Sequence, residues 1–63
     1  MNSNLAHLAR HREYLTQELS KVRRNAVQAS VRQDFRDIAK LTIEAARLNQ
    51  AIAETQDKEI LAL

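Results

Sequence analysis

In the first half of the chain apolar residues recur at Met1, Leu5, Leu8, Leu15, Leu19, Val22 and Ala26, in alternating steps of four and three with Arg12 the only intruder. A repeat averaging 3.5 residues is the a/d seam of a heptad, and it predicts a helix packed lengthwise against another helix. Asn2, Ser3 and Asn4 all have side chains able to accept from the free backbone N–H groups of a first turn, so this helix is expected to begin at about residue 4.

The second half carries its periodic set at Val31, Phe35, Ile38, Leu41, Thr42, Ala45, Leu48 and Ile52, a broader stripe that suits a helix in a bundle. The step from Ala26 to Val31 is five residues. Neither three nor four supplies it, so the two faces are out of phase and the helix is expected to break between them.

Local chemistry points the same way. Ser30 followed by Gln33 matches the S-x-x-E/Q capping box, with Asp34 adding negative charge to the first turn. On the other side Arg23 and Arg24 sit where cations suit a helix carboxyl end, and Asn25 can take the left-handed conformation of a C-cap. These signals predict a turn at about residues 26–30 between helices at about 4–26 and 31–58. The expected fold is an all-α, two-helix antiparallel hairpin over residues 1–63, open to dimerisation. The alternative is one continuous helix in a coiled-coil dimer, extending roughly 80 Å at 1.5 Å per residue.

Composition reinforces the all-α reading. The chain has no Gly and no Pro, the residues that turns, bulges and left-handed positions usually call on. It is rich in Ala, Leu, Arg, Gln, Glu and Lys, which lose little side-chain freedom in a helix. At 63 residues a chain buries only about 60% of the surface it exposes when unfolded. Small folds compensate with disulfides, a structural metal or association; with no cysteine, association is the expected staple.

The net charge of +2 is unevenly spread. Residues 1–31 hold Arg10, Arg12, Lys21, Arg23 and Arg24 against Glu13 and Glu18, whereas residues 32–63 hold six carboxylates against five cations. Two helices of opposite sign attract one another. The amino terminus lacks the apolar core of a secretory signal peptide, and no stretch approaches the roughly 18 apolar residues that span a bilayer. A soluble, cytoplasmic protein is the expectation.

Candidate chemistry is sparse. His7 and His11 are four apart and share a helix face, but Glu13 lies off that face, and solvated histidines are the commoner meaning of this spacing. No nucleophile with a partnered base and no Gly-rich loop can be read from the chain, and a two-helix hairpin offers little concavity for catalysis. The sequence therefore predicts neither an enzyme nor a cofactor. Arg10, Arg12, Lys21, Arg23, Arg24, Arg32 and Arg36 could contact phosphates, and a hairpin dimer of about this size is the architecture of a plasmid copy-number regulator that binds RNA. With only Tyr14 and Phe35 as aromatics, base stacking has little support, and a solvated helix face is the simpler reading.

The more informative pattern is a second apolar line on helix 2, at Ala39, Ile43, Ala46 and Ala53, roughly 100° or more from the Ile38, Ala45, Ile52 line. One helix cannot bury both lines on a single neighbour. The second line is left for another surface, where its alanines permit close approach, unless Ala serves only as a helix former and Ile43 as one exposed apolar residue. The chain ends on Ile60, Leu61, Ala62 and Leu63, a tail that can fold back, join a partner or fray. Ala39, Ile43, Ala46, Ala53, Ile60 and Leu61 are the candidate partner-binding residues.

Two segments carry a family resemblance. LTQELSKVRRNA at Leu15 to Ala26 is a leucine-rich first helix ending in a basic pair. QDFRDIAKLTIEAARLNQAIA at Gln33 to Ala53 has an aromatic soon after the turn, a polar stretch, an Ala-Arg-Leu step and a small apolar run. Together they resemble the type III secretion needle co-chaperones of the YscE kind, over a little more than half of the chain. A glycine at the turn, present in that family, is missing here. The resemblance implies a helical hairpin that pairs with a tetratricopeptide-like co-chaperone, the two keeping a needle subunit soluble in the bacterial cytoplasm.

Overall fold

The computed structural model describes residues 3–63; Met1 and Asn2, expected above to open the seam and to help cap the helix, lie outside them. Two helices, α1 (Ser3–Val31) and α2 (Phe35–Leu61), are joined by the three residues 32–34 and pack antiparallel as a hairpin. The particle is a rod of 49 × 14 × 9 Å. Its radius of gyration of 14.6 Å compares with about 10.6 Å for a compact chain of this length.

The seam of α1 is regular from end to end. Leu5, Leu8, Arg12, Leu15, Leu19, Val22, Ala26 and Ala29 all turn toward α2, in alternating steps of three and four, and Leu15, Leu19, Val22 and Ala29 are buried. On α2 the matching series is Ile38, Leu41, Ala45, Leu48, Ile52, Thr55, Glu59 and Ala62. Each helix therefore keeps a strict heptad across four repeats, which lets two helices of this length stay in contact along the whole rod. Thr55, 5% exposed, is the one buried polar residue among those described; its hydroxyl donates to the Ala51 carbonyl at 2.7 Å, so burial leaves no orphaned group.

The hairpin is as expected, but the turn lies further along the chain than residues 26–30. After Ala26 the seam passes by a step of three to Ala29, which is wholly buried, and α1 continues to Val31. The apparent phase break came from placing Val31 and Phe35 on the inner stripe, whereas they are 80% and 76% exposed. Thr42 is also outside it, exposed, its hydroxyl donating to the Ile38 carbonyl at 2.7 Å. Ser30 is helical and exposed and caps nothing, and Asn25 is an ordinary residue inside α1.

The chain instead stops α1 with a Schellman turn. The Asp34 N–H donates to the Ala29 carbonyl at 2.9 Å and the Gln33 N–H to the Ser30 carbonyl at 3.0 Å, the paired bonds that satisfy the last carbonyls of a helix. Gln33 supplies the left-handed residue, at φ 58°, a place usually given to Gly. Asp34 then caps α2, its carboxylate accepting from the Asp37 N–H at 3.2 Å. An ion pair, Arg32 to Asp37 at 3.6 Å, ties the linker to the first turn of α2.

Candidate functional site

Arg12, the intruder of the first-half pattern, occupies a seam position and meets Glu59 at the equivalent position of α2. Its Nε donates to Glu59 Oε1 at 2.6 Å and a terminal nitrogen donates to Oε2 at 3.3 Å. This two-pronged geometry suits a guanidinium and a carboxylate. The Glu59 hydrogen bond, and next its charge, raise the Arg12 pKa above its ordinary value. The pair closes the seam near the open end of the hairpin, and a shallow groove of ≈ 570 Å³ beside it is lined by Leu5, Arg12, Gln56, Glu59, Ile60 and Leu63.

Of the candidate partner-binding residues, Ala39, Ile43, Ala46, Ala53 and Ile60 fall on the side of α2 turned away from α1. Ala39, Ile43, Ala46 and Ala53 are exposed, Ile43 to 56%. Ile60 lies seven residues beyond Ala53 and so continues the same line, 65% exposed. Phe35, four residues before Ala39, opens it. The face thus runs the length of α2 with Gln50 and Asp57 as its polar steps. The terminal residues do not fold back: α2 stays helical through Leu61, Ala62 is half-buried at a seam position, and Leu61 is 87% exposed on the flank.

A second face was not legible as a unit in the sequence. His7, Arg10, Tyr14, Gln17, Lys21, Arg24 and Gln28 follow one another by steps of three and four along the outside of α1, all exposed. The line contains no carboxylate, although Glu18 pairs with Lys21 from the neighbouring row at 3.3 Å. In the sequence these cations stand among others with no mark of a shared face; only the heptad frame of α1 separates those on this line from Arg12, which is held in the seam, and Arg23, which flanks it.

His7 and His11 gather no third donor, for among the described residues no three His, Asp or Glu side chains come together in a way that could hold a metal ion. The His11 ring instead stacks on Tyr14 at a centroid distance of 6.4 Å. No helix among the described residues is long and apolar enough to cross a membrane.

Fold and surface define a class: an antiparallel two-helix coiled-coil hairpin with one apolar and one basic outer face. No family model, curated protein or solved structure matches this chain.

Proposed function

We propose that this chain is a protein-binding adaptor without catalytic activity, whose second helix presents its outer face to a helix of another protein. The observation that carries the reading is the exposed line Phe35, Ala39, Ile43, Ala46, Ala53 and Ile60. Side chains of this kind gain little by facing water; burying apolar surface gains about 25 cal/mol per Å². The alanines between the larger residues give an incoming helix a shallow trough.

The likeness of Leu15–Ala26 and Gln33–Ala53 to the needle co-chaperones makes the role more specific. In that form of the proposal the hairpin acts with a tetratricopeptide-like co-chaperone, and together they bury the aggregation-prone helix of a needle subunit. A hairpin of 49 Å offers enough length to shield a helix of about 30 residues.

Co-expression with neighbouring genes, followed by mass spectrometry of what co-purifies, tests the reading. A protein retained by the parent chain and lost with Ile43→Asp, while helical circular dichroism is kept, is the expected result. Equal retention by both chains would refute the role of this face.

A second reading rests on the carboxylate-free line from His7 to Gln28, which extends roughly 30 Å at 1.5 Å per residue and could track a nucleic-acid backbone. In that case the hairpin binds RNA or DNA through phosphate contacts, and log affinity falls linearly with log salt as counterions are released. Absence of a retarded band at low salt would remove it.

A further inference from the structure

We infer that the hairpin pairs with a second copy of itself through one broad side of the rod, the copies lying antiparallel about a twofold axis at the level of residue 18 to form a four-helix bundle. The inference goes beyond the assignment of the outer face of α2. The side in question spans both helices; it shares Ala39, Ala46, Ala53 and Ile60 with that face and leaves Ile43 at its edge.

Two helices in contact leave two broad sides, and the heptad frame assigns residues to each. On one, Asn25 and Gln28 of α1 border Lys40 and Glu44 of α2, and Glu18, Lys21, Arg47 and Lys58 share it. On the other, Gln56, Ile60 and Leu63 of α2 flank Leu5 and Arg12 of the α1 seam. There α1 shows Ala6, Ala9 and Val27, and α2 shows Ala46 and Ala53. Among the described residues only Glu13 and Arg23 add charge to this side beyond Arg12 and Glu59, which reach it from the seam already paired. Thr16 donates to the Arg12 carbonyl at 2.9 Å and Thr42 to the Ile38 carbonyl at 2.7 Å, so covering this side orphans neither hydroxyl.

Glu13 and Arg23 select the occupant. They are opposite in sign, and residue 18, midway between them, lies one residue from the middle of Ser3–Val31. A second α1 laid antiparallel about that level brings Glu13 of each copy to Arg23 of the other, twice by symmetry, while Ala9 meets Val27 and Ala6 meets Ser30. A slip of one heptad either way sets both charges against uncharged residues. The other twofold arrangement, α1 over the α2 of the copy, buries them on a side of α2 that brings no charge to meet them. Arg10, which borders the groove beside Glu13, and Arg24 stand further round on the outer edge of α1 and remain in water at the rim. Because Arg12 faces Glu59, the same level on α2 falls at Ala53. A small residue therefore meets its own copy at the axis, and Ala46 lies alongside Ile60 of the copy.

Surface area agrees. The chain exposes 5094 Å², whereas a compact folded chain of 7.2 kDa exposes about 4,100 Å². The excess, about 1,000 Å², is close to what one partner contributes to a stable interface, about 800 Å².

Sedimentation equilibrium on the full chain at submillimolar concentration tests the pairing, and the expected mass is twice 7.2 kDa. Ala53→Glu sets two carboxylates together at the axis and is expected to weaken dimerisation roughly hundredfold. Glu13→Arg and Arg23→Glu each juxtapose like charges twice and should each weaken it about tenfold. Mixed in equal amounts, these two variants regain both ion pairs and should associate as a heterodimer about as tightly as the parent. Both changes fall at exposed helical positions, so they carry the test should Ala53→Glu lose its helix.

A monomeric parent chain overturns the inference, and so does a dimer that a helical Ala53→Glu leaves at full strength. Single charge variants that dimerise like the parent, or a mixture that associates no better than either variant alone, overturn the antiparallel register. If the parent is monomeric yet retains another protein that Ile43→Asp loses, the dimer is refuted while the assignment of the outer face of α2 to protein binding stands.

Discussion

Gln33 holds the left-handed position of the Schellman turn at φ 58°, and replacing it by Gly asks whether the chain really reverses there. For a residue with a Cβ this conformation costs roughly 1–2 kcal/mol. Gly removes that cost but brings extra freedom to the unfolded chain, which takes back about 0.5–1 kcal/mol. Gln33→Gly should therefore stabilise the hairpin by about 0.5–1 kcal/mol. The backbone bonds Asp34 N–H to Ala29 and Gln33 N–H to Ser30 are retained, since neither uses the side chain.

The rival architecture, a single helix through residue 33, predicts the opposite sign. In a helix interior Gly is about 0.8–1 kcal/mol worse than Ala, and Gln is nearly as good as Ala, so the same substitution would destabilise. Thermal unfolding followed by circular dichroism at fixed chain concentration reads the difference. With about 4–8 °C per kcal/mol for a domain of this size, the hairpin predicts a rise of about 2–8 °C. Gln33→Val is the complement, because a β-branched residue is strongly disfavoured at positive φ but loses only a few tenths of a kcal/mol in a helix. A lower melting temperature for Gln33→Gly would refute the turn at residues 32–34.

Two other substitutions test the elements that hold the hairpin. Asp34→Ala removes the carboxylate that accepts from the Asp37 N–H and should cost about 1 kcal/mol, seen as an earlier thermal transition with unchanged helicity at low temperature. Replacing both Arg12 and Glu59 by Leu turns the paired seam positions into ordinary apolar ones; the double variant should melt at or above the parent and above either single variant, because each single change strands the other charge.

The sequence by itself determined that the chain is helical throughout, that α1 carries a heptad seam, and that a second helix returns along it. Those properties follow from local propensity and period, which any stretch of chain expresses without reference to the rest. It also marked Ala39, Ile43, Ala46 and Ala53 as a separate line, since angular position on a helix is arithmetic. The place of the turn was decided only in three dimensions. Ala29 and Val31 are both apolar, and the choice between them as the last seam residue depends on which one α2 covers. A small alanine fits between the converging helices at the closed end, and Val31 is left outside.

Tertiary structure also gave Arg12 its meaning. Alone it interrupts an apolar series, and Glu59 extends past the expected stripe of α2; set 47 residues apart, they become one contact because antiparallel packing brings the two seam positions to the same level of the rod. Thr55 is buried for the same reason, its hydroxyl satisfied within its own helix. The exposed face of α2 is the remainder of this accounting. A sequence can show two apolar lines on one helix, but only the packing of α1 decides which line it covers and which is left to another molecule.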